Sequence, residues 1–169
     1  VAGVNSISAR IYTNAAAAVC GMATATPPEV TTKPLIAASM FGNTTQLVGK
    51  CKAKLESAGY EVLVFHATGA GGRMMEKLIR EGYFVGVLDV TTTEWADELV
   101  GGTLTAGPTR LDAAAQAGIP QVIAPGCLDM VNFGARASVP AKFGDRLFYV
   151  WNPTVTLMRT TPEECAELG

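Results

Sequence analysis

The chain is poor in charge. Only 17% of its 169 residues are Asp, Glu, Lys or Arg, and the formal net charge is −2. The lysines and arginines are scattered, which excludes the basic stripe of a nucleic-acid binder and the polybasic patch that an anionic membrane attracts. No apolar run is long enough to span a bilayer. The four cysteines, Cys20, Cys51, Cys127 and Cys165, show neither a CxxC pair nor Cys/His spacing, so no zinc motif is present. They read as reduced thiols of a cytoplasmic protein. His66 is the single histidine. The sequence starts at Val1 without methionine, and Thr161-Pro162-Glu163-Glu164 reads as a helix start (N-cap, Pro at N1, capping box) less than two turns before Gly169. Both ends therefore read as those of a fragment of a longer protein, or of one piece of a cleaved one.

What is plentiful is apolar surface. At 49% apolar residues the chain is a globular one with enough length for a proper core. The central stretch, Val62 to Gly102, reads as strand, glycine loop, helix, strand and polar loop, which is one parallel βαβ unit. Strands are expected at Pro34–Ser39, Tyr60–His66, Phe84–Val90, Ile119–Ala124 and Leu147–Trp151. Helices fall between them, one stopped by Gly59 and one by Gly118. Residues 130–145 read as irregular. An N-terminal helix within residues 1–24, capped by Asn5 with Ser6 or Ser8, precedes a Pro- and Thr-rich linker at 24–33. The expected organisation is a helix and linker left from a preceding subdomain at 1–26, then an α/β unit at 27–169 truncated at its C-terminus. The fold class is α/β, a Rossmann-like or flavodoxin-like three-layer sandwich with a mostly parallel sheet of about five strands.

All five strand ends carry small polar residues, and in open parallel sheets ligands bind at that edge. Ser39, Gly42, Asn43, Thr44 and Thr45 form a turn at a helix start, where backbone N–H groups and hydroxyls suit a phosphate; the plain alternative is a helix cap. Thr68, Gly69, Gly71 and Gly72 form a second such loop, lacking both the Walker A Lys-Ser/Thr pair and the dinucleotide spacing. It either approaches a ligand or makes a tight strand-to-helix turn. Thr91, Thr92, Thr93 and Gly126 border the same edge. Asp89, Glu94, Asp97 and Glu98 offer carboxylates for magnesium or a ribose, although Thr92 or Thr93 capping the next helix explains the threonines alone. His66 with Glu94 or Asp129 could serve as acid and base. Asp129 and Asn132 read as turn chemistry otherwise.

HATGAGGRMMEKLI, GVLDVTTTEWADELVGG, AGPTRLDAAAQAGIPQVIAPGCLDMVNFG and WNPTVTLMRTTPEE together resemble the second half of the Tm-one-like ATP-binding family, whose plant members include a tobamovirus-resistance protein. VAGVNSISARIYTNAAAAVCGM is similar to the join between that family's two subdomains. The resemblance covers nearly the whole chain. It implies two Rossmann-like subdomains, ATP or another nucleotide as ligand, and a homodimer or higher oligomer, with the remaining subdomain as partner. It assigns no reaction. Four functions stay open: a binding module for a nucleotide or other phosphorylated small molecule; an enzyme acting on a phosphorylated or carboxylated metabolite; an FMN carrier, against which no Trp or Tyr lies in the loops after the second or third strand; and a structural role in dimerisation.

Overall fold

The computed structural model describes residues 3–26 and 32–169, so half of the expected linker at 24–33, residues 27–31, lies outside the described residues. The chain divides into two compact units, 1–32 and 33–169. The first holds α1 (Ser6–Thr24). Asn5 caps it by accepting from the Ile7 and Ser8 N–H groups, and Ser8 Oγ accepts from the Asn5 N–H in return.

The second unit is α/β. Its main sheet contains β1 (Leu35–Met40), β2 (Glu61–His66), β3 (Gly86–Asp89) and β4 (Gln121–Ile123), all parallel in the order β2-β1-β3-β4. The alternation of strand side chains sends Ala38, Val62 and Leu88 to one face, where Val48 and Leu55 of α2 (Thr45–Ser57) cover them. Ala37, Phe65 and Val87 go to the other face. There they meet Met75 and Ile79 of α3 (Ala70–Arg80) and Ala113 and Ala114 of α5 (Asp112–Ala117). Alanine is needed on α5 because α3 and α5 share that face and pack against each other.

The parallel sheet has four strands where about five are expected. The strand at Leu147–Trp151 does form, but as β6 (Phe148–Asn152) of a second, antiparallel sheet. Its partners are β5 (Met130–Phe133) and β7 (Val155–Arg159), in the order β5-β7-β6. Thus residues 130–133 are strand and not irregular chain. A short Pro153-Thr154 turn sets β6 and β7 side by side, and a hairpin needs no helical crossover. One face of this sheet packs Val131, Phe133 and Met158 under Ala96 and Val100 of α4 (Thr93–Val100), with Leu168 of α6 (Pro162–Leu168). The capping box of α6 forms as expected: Thr161 Oγ1 accepts from the Glu164 N–H and Glu164 Oε2 from the Thr161 N–H. No helix among the described residues is long and apolar enough to cross a membrane.

Candidate functional site

The free face of the antiparallel sheet has period two. Met130 and Asn132 on β5, Tyr149 and Trp151 on β6, and Val155 and Leu157 on β7 point the same way. Facing them is the carboxyl edge of the parallel sheet: Phe41, Gly42 and Asn43 after β1, His66 at the end of β2, Thr93 at the start of α4, and Cys127 and Asp129 after β4. Between the two lies a cavity of about 630 Å³, within the range of small-molecule sites.

The phosphate-loop residues divide. Gly42 and Asn43 are exposed in the cavity wall, and as the first residues of a 3₁₀ turn leading into α2 their N–H groups have no acceptor within that turn. Thr44 Oγ1 accepts from the Phe41 N–H at 2.9 Å and shares a hydrogen bond with Thr91 Oγ1. Thr45 Oγ1 donates to the Phe41 carbonyl. Ser39 is buried, donates to Asp89 at 2.6 Å and accepts from the Thr91 N–H. The Ser39 and Thr44 hydroxyls stitch the β1 and β3 ends together, and none of the three lines the cavity.

The glycine loop wraps a protein carboxylate. Glu94 Oε1 accepts from the Gly69 N–H at 2.6 Å and the Gly72 N–H at 3.1 Å. Side chains would not fit: a Cβ on Gly72 would overlap the Glu94 carboxylate, one on Gly71 the His66 carbonyl, and one on Gly69 would lie 2.6 Å from the Thr105 carbonyl oxygen. Three glycines are accounted for by this packing, and two N–H groups expected to face a phosphate are occupied. Thr68 Oγ1 donates to the His66 carbonyl. Thr92 holds the N-cap position of α4, but its hydroxyl makes no cap bond and accepts from the Gly126 N–H. Gly126 is required by the Val90 carbonyl, 2.5 Å from where its Cβ would be.

Glu94 itself belongs to a buried ion cluster whose centre, Arg110, the sequence reading passed over. Arg110 is 1% exposed. Its guanidinium grips Asp89 twice, at 2.5 and 2.8 Å, donates to Glu94 Oε2 at 2.7 Å and reaches Glu76 at 3.3 Å. Burial opposes its charge, but hydrogen bonds and charges from Asp89 and Glu94 outweigh that and raise its pKa further. Glu76 also accepts from the Leu111 and Ala113 N–H groups, anchoring the start of α5 and holding Leu111 at φ 84°. No pattern in AGPTRLD announces a buried arginine. Asp89 and Glu94 are therefore engaged by protein groups and stand outside the cavity, where magnesium or ribose contacts were expected of them. Asp97 is buried too. Burial pushes its pKa up to about 6, against the lowering effect of the Asn132 N–H and amide. Glu98 is bonded to Thr105.

Of the acid/base candidates, His66 and Asp129 share the cavity and Glu94 does not. His66 is exposed, with its ring 5.3 Å from that of Phe41. Asp129 pairs with Arg159 at 3.0 Å. Cys127, at φ 62°, donates its thiol to Asn43 Oδ1. Burial pushes that thiol up, with the Asn43 bond opposing. The described residues contain no group of three His, Cys, Asp or Glu able to hold a metal ion. Tyr149 and Trp151 were unforeseen in the site. They lie far from the βαβ loops in sequence and arrive only because β6 forms the cavity's opposite wall.

Residues 33–169 match the family model described as "Uncharacterised protein family (UPF0261) C-terminal domain". The chain is 61% identical over its whole length to a UPF0261 protein of Clostridium tetani and 50% identical to one of Rhizobium meliloti, spanning 42% of the length of each. It is 44% identical, over 97% of its length, to 22% of the tomato ToMV resistance protein Tm-1(GCR237).

Proposed function

The chain belongs to the UPF0261 family as its C-terminal domain, and on that footing we propose that residues 33–169 form a binding module for a phosphorylated small molecule, a nucleotide in class. The cavity at the carboxyl edge of β1–β4 carries this reading. The open N–H groups of Gly42 and Asn43, at the start of α2, supply an anion-binding end. Aromatic and aliphatic side chains supply the rest of the wall. The lining holds no Lys or Arg and no metal-ligand cluster, so a magnesium ion would enter with the ligand's own phosphates.

The test is a thermal-shift screen of nucleotides and phosphorylated metabolites on this chain and on the full-length protein. A ligand at about 100 times its Kd adds roughly 2.7 kcal/mol of stability. A shift in this chain, abolished by Gly42→Pro, supports the reading; no shift from the panel in either protein overturns it. A shift at full length alone would assign the ligand to the remaining subdomain, the proposed intramolecular partner, or to a site shared with it. Dimerisation belongs to the same proposal and is read by light scattering of the full-length protein.

A second reading is favoured by His66 and Asp129 lining one cavity. In it His66 is the acid/base on a bound metabolite. His66→Ala should then retain ligand affinity and lose turnover. The aromatic wall from β6 also removes the sequence objection to FMN, and a yellow purified protein would favour that ligand.

A further inference from the structure

Asn132 is the anomaly on the cavity face of the antiparallel sheet. Its neighbours there are Met130, Tyr149, Trp151, Val155 and Leu157, all apolar or aromatic. Asn132 is 3% exposed, and a buried polar group on an apolar face is the informative exception. Its Nδ2 donates to Asp97 Oδ2 at 2.9 Å and to Thr93 Oγ1 at 3.3 Å. The backbone N–H of Asn132 adds a bond to Asp97 Oδ1 at 2.6 Å. An ionised carboxylate only accepts, so these bonds fix which end of the amide faces α4. The other end, Oδ1, receives no hydrogen bond from any described residue. Oδ1 is not among the fully occluded unpartnered side-chain atoms of the described residues, Gln121 Nε2 and Thr156 Oγ1, so it keeps access to the cavity that Asn132 lines, where a ligand can supply the donor it lacks.

Resting on the reading that this cavity holds a small ligand, we infer that Asn132 is its specificity-determining residue: Oδ1 accepts from an N–H on the edge of a planar ring stacked against Trp151 and Tyr149. Those two rings alternate on β6 with centroids 6.2 Å apart and stand exposed on the rim. Trp and Tyr faces suit a flat heteroaromatic ring. The ring class is one that presents an N–H donor on its edge, with an aminopurine or aminopyrimidine as the case tested, since a ring presenting only acceptors would meet an acceptor. Discrimination of this kind is strong because a mismatched ligand covers the protein's acceptor and leaves it unpaired.

The experiment uses matched pairs on the unaltered full-length protein at pH 7.5, where Asp97 is ionised: AMP against purine riboside 5′-monophosphate, CMP against the pyrimidin-2-one riboside 5′-monophosphate lacking its amino group, and ribose 5-phosphate as the ringless control. Calorimetry should give at least one pair a gap of about tenfold or more in favour of the amine, with ribose 5-phosphate weaker than both of its members. Equal affinities within both pairs overturn the inference and leave the binding reading standing. No binding by any of the five overturns the inference. If the metabolite screen is also blank, the binding reading falls with it. Asn132→Leu also strands Asp97, so the variant arm is Trp151→Ala, on the exposed rim. It should weaken the amine-bearing ligand about tenfold without changing the melting temperature of the free protein. Unchanged affinity there overturns the stacking.

Discussion

Replacing Arg110 by Met tests whether the buried ion cluster is what joins the main sheet to α3, α4 and α5. Arg110 is the charge partner of Asp89 and Glu94, both essentially fully buried, and one of two arginines on Glu76. Methionine fills similar volume and removes every one of those bonds. Asp89 would keep only the Ser39 hydroxyl, and Glu94 only the Gly69 and Gly72 N–H groups. Breaking a buried pair from one side typically costs about 3–5 kcal/mol, because a charge stays behind without compensation. Against a typical domain stability of about 5–15 kcal/mol, that is about a fifth or more. With a urea m-value of about 2 kcal/mol/M, the unfolding midpoint should fall by about 1.5–2.5 M. Equilibrium urea unfolding at pH 7.5, followed by far-UV circular dichroism, reads this directly. The control is Arg159→Met, which breaks the half-exposed pair with Asp129 and should cost about 0–1 kcal/mol. A midpoint for Arg110→Met within about 0.5 M of the parent, or equal to that of Arg159→Met, would refute the reasoning.

Gly71→Ala should destabilise by roughly 1–3 kcal/mol, since its Cβ would overlap the His66 carbonyl and force the loop apart; a thermal melt unchanged from the parent would show that the loop gives way freely. Asp97 should make stability depend on pH in an unusual direction. Its folded pKa of about 6 lies above the ordinary 3.8, so between those values the folded state holds more protons than the unfolded one. Stability from this group is therefore full below about pH 4 and is lost as pH rises through about 6, by about 3 kcal/mol. The difference in unfolding free energy between the parent and Asp97→Asn should shift by that order between pH 4 and pH 7, and parallel pH profiles would contradict it. Cys127→Gly should relieve the positive φ and be neutral or stabilising by up to about 1 kcal/mol, unless the thiol bond to Asn43 contributes more than the strain costs; a loss above about 1 kcal/mol in urea unfolding would show that it does.

How far the site was legible follows from the range of the interactions involved. His66, Gly42, Asn43, Thr93 and Asp129 lie at strand ends, and a parallel sheet gathers its strand ends on one edge, so order along the chain suffices to find them. Glu94 also stands at that edge, but its carboxylate turns inward because Arg110, sixteen residues on, lies within 2.7 Å of it. Ser39, Thr91 and Thr44 are the right residue types for holding a phosphate and equally right for holding one another, and only their mutual distances decide.

The sequence by itself determined what short-range rules control. The parallel βαβ alternation, the Asn5 and Thr161 capping boxes and the helix stop at Gly59 rest on backbone hydrogen bonds and side chains a few residues apart. Tertiary structure alone decided that Leu147–Trp151 leaves the parallel sheet, that β5 pairs with β7 across more than twenty residues, and that the resulting face brings Asn132 and Trp151 opposite His66. Strand propensity is the same for either sheet. The choice between them is made by which face buries Val131, Phe133 and Met158, and that is a property of the packed chain.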